Sequence, residues 1–171
     1  MGQAVLTVVV RRLAAADLTQ VGNIFGWYAT HSVATFEESP RTRADWARLR
    51  KELDELGLPF LVADADGQVA GYAYAGLWRR KPAYRSTVED SIFMAPAKAG
   101  LGIGRQLLTE LIARCADSGS RQMIAVIADS DAEVSVRLHK SCGFTEAGRL
   151  ADVGYKHGKW IGTLLMQRAL G

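Results

Sequence analysis

The sequence predicts a mixed α/β fold of seven strands and four helices, in the order β-α-α-β-β-β-α-β-α-β-β. Three observations carry that expectation. Apolar residues recur at helical spacing in four stretches and form short, β-rich runs in seven others. Asp66-Gly67 and His157-Gly158 sit between apolar runs, as hairpin turns do. The 171 residues, 49% of them hydrophobic, suffice for one core, and a chain of this length buries roughly 70% of its unfolded surface.

Leu6 to Val10 reads as the first, β-branched strand. Asp17 is a candidate N-cap for a helix carrying Leu18, Val21, Ile24 and Phe25 on one face. A second helix starts at Thr42, runs through Trp46, Leu49 and Leu53, and stops near Gly57 and Pro59. Phe60–Ala63 and Val69–Tyr74 form a hairpin around Asp64-Ala65-Asp66-Gly67. A longer strand covers Thr87 to Met94 and ends before Pro96. The amphipathic helix from Gly104 to Ser118 follows, with Leu107, Leu108, Leu111, Ile112 and Cys115 on its apolar face. Gln122–Ile127 is a buried strand, Val134–Ser141 a short helix ended by Gly143, and Arg149–Tyr155 and Trp160–Gln167 the last two strands.

Composition narrows the function classes. Two cysteines exclude a disulfide scaffold and a four-cysteine zinc site, and three histidines without helical pairing give no metal motif. The net charge of +3 is too small for a nucleic-acid footprint. No apolar run reaches the length of a membrane span, and the N-terminal stretch lacks the basic start of a signal peptide, so a soluble, cytoplasmic domain spanning 1–171 is expected. Arg79, Arg80, Lys81 and Arg85 cluster within one loop, which is a solvated face unless a ligand needs it.

The turn Ala99-Gly100-Leu101-Gly102-Ile103-Gly104 joins a strand to a helix. It fails the dinucleotide pattern, because Arg105 stands where a third glycine is required, and no Gly-Lys completes a P-loop. Its physics still favours an anion. Glycine lets backbone approach a ligand, and the free N–H groups of a helix start point outward with the dipole behind them.

The wider pattern is more specific. Val88-Glu89-Asp90-Ser91-Ile92-Phe93-Met94 followed by Gly100-Leu101-Gly102-Ile103-Gly104-Arg105 resembles the acetyl-coenzyme A motif of GNAT-type N-acetyltransferases. Ala125-Val126-Ile127 and Ser135-Val136-Arg137-Leu138-His139-Lys140-Ser141-Cys142-Gly143-Phe144 resemble the second cofactor segment. With Ser32-Val33-Ala34-Thr35-Phe36-Glu37-Glu38 and Gly154-Tyr155-Lys156-His157-Gly158-Lys159-Trp160, the whole is similar to the phosphinothricin and methionine sulfoximine branch, over roughly Val9 to Gln167.

The resemblance implies a mostly antiparallel central sheet of about seven strands covered by about four helices. It implies acetyl-CoA as donor, held by the backbone of Ile92, Phe93 and Met94 and by Gly100, Leu101, Gly102, Ile103, Gly104 and Arg105. It further implies a small amino-acid-like amine as acceptor, direct transfer in a ternary complex, and a homodimer. Two positions depart from the family pattern, Ala99 and Ala132; Lys98 is expected to replace a charge, and Asp131 or Asp129 to cap the second helix.

Such a transfer needs a neutral amine, a stabilised oxyanion and a protected leaving thiolate. A carboxylate in an apolar strand has a raised pKa, and of the adjacent Glu89 and Asp90 the resemblance implies Glu89 as the base. Its neighbour Asp90 must point to the other face of a regular strand. His139 stands where relatives carry a tyrosine near the sulfur. Backbone N–H groups near Phe93 or Met94 are the candidate oxyanion donors. Arg79, Arg80, Lys81, Tyr84 and Arg85 form the loop that the resemblance sets against the substrate's anionic groups, with Phe36 and Glu37 on the opposite wall. The rival readings are another amine, such as a polyamine or protein N-terminus, and a coenzyme A sensor without turnover.

Overall fold

The computed structural model describes residues 7–171. One seven-stranded sheet organises it, in the order β1-β2-β3-β4-β5-β7-β6. The strands are β1 (Val8–Arg12), β2 (Phe60–Ala65), β3 (Gln68–Leu77), β4 (Thr87–Met94), β5 (Gln122–Ala128), β6 (Thr145–Lys156) and β7 (Lys159–Ala169). Four helices cover them: α1 (Leu18–His31), α2 (Arg43–Glu55), α3 (Ile103–Asp117) and α4 (Glu133–Ser141). Every neighbouring pair is antiparallel except β4–β5. The expected mixed, mostly antiparallel architecture is thus present. Of the expected first strand, Leu6 lies outside the described residues, and pairing continues to Arg12.

Local chemistry explains most boundaries. Thr42 caps α2 reciprocally: its hydroxyl accepts from the Asp45 amide at 3.2 Å, and Asp45 accepts from the Thr42 amide at 2.9 Å. Asp66-Gly67 and His157-Gly158 all have positive φ, so both hairpins turn as the right-handed strand twist requires. Asp17 behaves differently from a helix cap. It closes a short turn, Ala15–Asp17, by accepting from the Ala14 amide at 2.7 Å, and Arg11 grips it at 2.7 Å while also reaching Asp64 at 2.9 Å. A guanidinium outcompetes a helix amide for a carboxylate, and it holds the Asp17 carboxyl below its usual range.

α4 starts on Ala132 without a side-chain cap. Asp129 instead accepts from the Gly162 amide at 3.1 Å, and Asp131 adopts φ 58°. Neither aspartate therefore caps α4 as expected; the β5–β7 ladder has claimed one of them. A side chain at Gly162 would overlap the Asp129 carboxylate and the Leu150 carbonyl, so this closure demands glycine.

The core lies on both faces of the sheet. Phe93 meets the rings of Phe25 and Tyr28 on α1, with Trp46 and Tyr72 adjoining. Met94, the next residue, lies beside Gly104 of α3, where Leu138 of α4 also approaches. Successive strand residues point to opposite faces. α1 and α2 therefore cover one face, and α3 and α4 the other. Among the described residues no helix is long and apolar enough to cross a membrane.

Candidate active site

β4 and β5 pair only through Thr87↔Gln122, Val88↔Met123 and Glu89↔Ile124. Beyond Glu89, β4 stays on β3 as far as Met94, and β5 stays on β7 as far as Ala128. The two parallel strands diverge there, and their facing edges lack a strand partner. A cavity of about 790 Å³ fills the split. Phe25, Tyr28, Phe36 and Arg41 line it from the α1/α2 side, and Ser135, Leu138 and His139 from the α4 side. The cavity passes through the sheet, so two ligands can meet inside it from opposite faces.

Glu89 stands at the fork. It lines the cavity half-buried, and desolvation, helped by the neighbouring Asp90 charge and opposed by Arg79, pushes its pKa above the usual carboxylate range. Asp90 faces the other way, as strand alternation requires. It is buried, and one carboxylate oxygen lies 3.0 Å from His139 Nε2. The other ring nitrogen of His139 lies 2.7 Å from the Ser135 carbonyl. Burial works against charge on this imidazole, but the Asp90 bond and charge, with the Ser135 carbonyl, outweigh it and raise the pKa.

Ile92, Phe93 and Met94 all line the open edge of β4. The Met94 carbonyl is already taken, accepting from the Tyr28 hydroxyl at 2.7 Å. Burial raises the Tyr28 phenol's pKa, which keeps it a donor. The glycine turn leads from this strand into α3. Gly100 and Gly102 have φ 81° and 76°, and nothing stands within 4 Å of where their Cβ atoms would be. Leu101, Gly102 and Arg105 are exposed, while Ile103 and Gly104 seat the first turn of α3 against the core and α4. Open glycines before a helix start suit a pyrophosphate, and the unpaired sheet edge suits an amide-bearing arm.

Phe36 and Glu37 do line the cavity, held by contacts far away in sequence. A side chain at Gly154 of β6 would overlap the Phe36 ring. Lys156, buried on the same strand, donates to the Thr35 carbonyl at 2.7 Å. Glu37 pairs with Arg41 at 2.9 Å, whose guanidinium lies about 5 Å over the rings of Phe25 and Trp46.

The basic loop lies outside the cavity. Arg79 folds over the Trp78 ring at 4.0 Å, Arg80 reaches Glu52 of α2 at 3.6 Å, and Arg85 donates to the Pro82 carbonyl at 3.1 Å. Lys81 and Tyr84 are exposed around the short Pro82–Tyr84 turn. The reason is topological: this loop precedes β4, whereas the split opens only after Glu89. Arg79 alone is close enough for its charge to act on Glu89.

The signature described as "Acetyltransferase (GNAT) family" matches residues 22–144, which contain β4, the glycine turn and α4. The chain belongs to the GNAT acetyltransferase family. It is 47% identical over 162 residues to the phosphinothricin N-acetyltransferase of Alcaligenes faecalis, spanning 94% of this chain and 82% of that protein. It is 36% identical over 158 residues to the L-methionine sulfoximine/L-methionine sulfone acetyltransferase of Salmonella typhimurium, spanning 91% and 90%. The GNAT superfamily phosphinothricin acetyltransferase of Sinorhizobium meliloti, a crystal structure in complex with AcCoA, is 43% identical with a TM-score of 0.92, covering 97% of this chain and 90% of that one.

Several cavity residues of this acetyltransferase escape local sequence reasoning: Tyr28, Arg41, Tyr74, Asp90 and Ser135. Asp90 is assigned correctly to the far face by alternation, but only a cavity that crosses the sheet brings that face into the site. Arg41 had one signal, a lone cation in the loop that follows Phe36 and Glu37. Neither cysteine thiol is hydrogen-bonded to the His139 ring; Cys142 meets His139 only through its backbone amide. Burial and the Asp90 charge push the Cys115 thiol up to about 12, and Cys142 Sγ touches Thr109 at 3.9 Å.

The Phe36 wall yields a test. Gly154→Ala must displace the ring, an adjustable side chain, so the fold is expected to survive. KM for the acceptor should rise several-fold while acetyl-CoA affinity stays unchanged. Equal KM values for variant and parent would show that Phe36 does not shape the acceptor site.

Proposed function

We propose that this acetyltransferase moves acetyl from acetyl-CoA to the α-amine of a small amino-acid-like substrate, with methionine sulfoximine, methionine sulfone and phosphinothricin as first candidates. The observation that carries the reading is a through-sheet cavity with a desolvated carboxylate, Glu89, at its fork and a guanidinium, Arg41, on its acceptor side. The names of the relatives support the same acceptor class.

The residues divide the work. The donor supplies an activated acyl group as a thioester; the glycine turn from Gly100 to Arg105 holds its anionic end, and the edge of β4 from Ile92 to Met94 its arm. Glu89 takes the proton of the acceptor's ammonium, directly or through water, so that a neutral amine attacks. Backbone N–H groups of Phe93 or Met94 face the oxyanion, where preorganised donors act most strongly in a dry site. His139 belongs to the leaving-group side, on the α4 wall. Arg41 takes the acceptor's carboxylate, since its Nη2 alone is engaged by Glu37 and the aromatic rings beneath fix its plane. Phe36 and Glu37 form the adjoining wall, and Arg79 lies at the rim, with Arg80, Lys81, Tyr84 and Arg85 further out.

We take the working form to be a cytoplasmic homodimer acting on metabolites, without nucleic acid or membrane. Leu150, Val153, Tyr155 and Trp160 are exposed on the β6–β7 hairpin, an apolar stripe that a second copy would cover. Sedimentation as a monomer at micromolar concentration would remove the dimer from this proposal.

Thiol release from acetyl-CoA tests the activity, assayed with methionine sulfoximine, phosphinothricin, a polyamine and a short peptide. Turnover is expected with the first two. Activity confined to the polyamine or the peptide, or binding of acetyl-CoA without turnover on any acceptor, would overturn the assignment. Arg41→Met should raise KM for the amino-acid acceptors by roughly 10- to 100-fold, as for a lost charge-assisted bond of about 1.5–3 kcal/mol. Arg80→Ala should change it little; the reverse order would make the loop the carboxylate clamp.

Glu89→Gln should lower kcat by about 100-fold or more. The sign of the pH effect follows from the raised pKa. The base is unprotonated only above that value, so the parent's rate falls as pH drops through it, above the ordinary glutamate range. That limb should vanish in Glu89→Gln; its persistence would exclude Glu89 as the base.

A further inference from the structure

We propose that Asp90 is a positioning residue that locks His139 as a doubly donating imidazolium, which makes His139 a fixed charge on the cavity wall and leaves proton abstraction to Glu89 alone. The inference rests on the reading of the cavity as an acetyl-transfer site, and it deepens that reading by dividing labour between two adjacent carboxylates.

The geometry decides the protonation state. His139 is 2% exposed, and each ring nitrogen faces an acceptor. Nε2 lies 3.0 Å from the Asp90 carboxylate and Nδ1 lies 2.7 Å from the Ser135 carbonyl. A carbonyl oxygen cannot donate, so Nδ1 must carry a proton. Neutral imidazole has one N–H, which would leave Nε2 as a lone pair against a buried carboxylate. Two lone pairs at 3.0 Å repel, and only a second proton between them removes that cost. Placed on the ring, it creates a buried ion pair with both donors satisfied. The Ser135 hydroxyl, 3.4 Å from Nδ1, adds no competing donor of comparable geometry. The Phe144 ring meets the imidazole edge-on at 5.0 Å between centroids, which fixes its plane from the other side.

The charged surroundings offer no alternative partner. From β4, Glu89 and Asp90 are the two carboxylates, and they lie on opposite faces. From α3, Cys115 is the titratable neighbour of Asp90, and its thiol stays neutral. On α4 itself, Glu133, Arg137 and Lys140 are exposed to solvent. Among the described residues Asp90 is therefore the one anion set against the ring, and its second oxygen is buried without a partner among them.

Two consequences follow. His139 has no vacant lone pair and cannot act as the base. Its N–H groups are both engaged, so it serves the departing thiolate through charge rather than by donating a hydrogen bond. Linkage has a definite sign: the folded pKa is raised, so the pair's stabilisation is fully present below the unfolded histidine value and is lost as pH rises through the folded one.

The test is side-chain nitrogen NMR of the full chain, in which three histidines must be assigned. In the parent at neutral pH, both His139 nitrogens should show imidazolium shifts. Asp90→Asn should move the His139 midpoint downward and add a second inflection to the pH–rate profile, beside the Glu89 limb. A neutral His139 in the parent near pH 7, visible as one protonated and one bare nitrogen, would overturn the proposal without any variant. So would an unchanged midpoint in folded Asp90→Asn. If Asp90→Asn fails to fold, the parent spectrum still decides. Because the spectrum needs no turnover, a protein that shows the imidazolium yet transfers no acetyl would refute the activity and keep the ion pair.

Discussion

The site depends on the failure of two parallel strands to stay together. β4 and β5 share three register pairs and then part, because each is held by a stronger partner on its outer side. β3 keeps β4 in antiparallel register to Met94, and β7 keeps β5 to Ala128. An unpaired backbone edge is costly when buried and is satisfied only by water or a ligand. The opening is therefore both a hole in the sheet and a row of hydrogen-bonding groups awaiting a partner. Glycine at 162, which alone fits against Asp129 and Leu150, anchors the β5–β7 side of that geometry.

The same fork separates two chemically identical groups. Glu89 and Asp90 are consecutive carboxylates, yet alternation sends them to opposite faces. Glu89 meets a half-dry cavity with no partner and keeps a raised pKa, which suits a proton acceptor working near neutral pH. Asp90 meets a buried imidazole and spends its charge there. One residue of register is enough to turn a base into a positioning group. The Asp90 charge, after burial, also makes Glu89 harder to ionise, so the ion pair on the far side shapes the titration of the base.

The acceptor wall is assembled by long-range fastenings. Lys156 ties Thr35 to β6, Gly154 makes room for Phe36, and Tyr28 ties α1 to the Met94 carbonyl. Through these contacts the loop between α1 and α2, otherwise free to vary, is held against the strand that carries the donor. Burial lowers the Lys156 pKa while Glu38 and Glu37 oppose the shift, so the tie itself sits in a balanced field.

The sequence by itself determined the element order, both hairpin turns, the Thr42 cap, the strand from Thr87 to Met94 and the glycine-led α3, because each follows from local periodicity, capping or positive-φ chemistry. It also marked Glu89, the β4 segment from Ile92 to Met94, His139 and the pair Phe36 and Glu37, all of which line the cavity. Only the tertiary structure decided which partners those groups meet. Asp17 went to Arg11 instead of a helix amide, Asp129 to Gly162 instead of α4, and Asp90 to His139 across 49 positions. The basic loop lay at the wrong end of β4 to enter the cavity, and Arg41 stood inside it. Local sequence fixes what a residue offers, its charge, its donors and its preferred backbone. Competition among distant partners for the same carboxylate or guanidinium depends on the sheet register and on where two strands part, and no spacing along the chain encodes that.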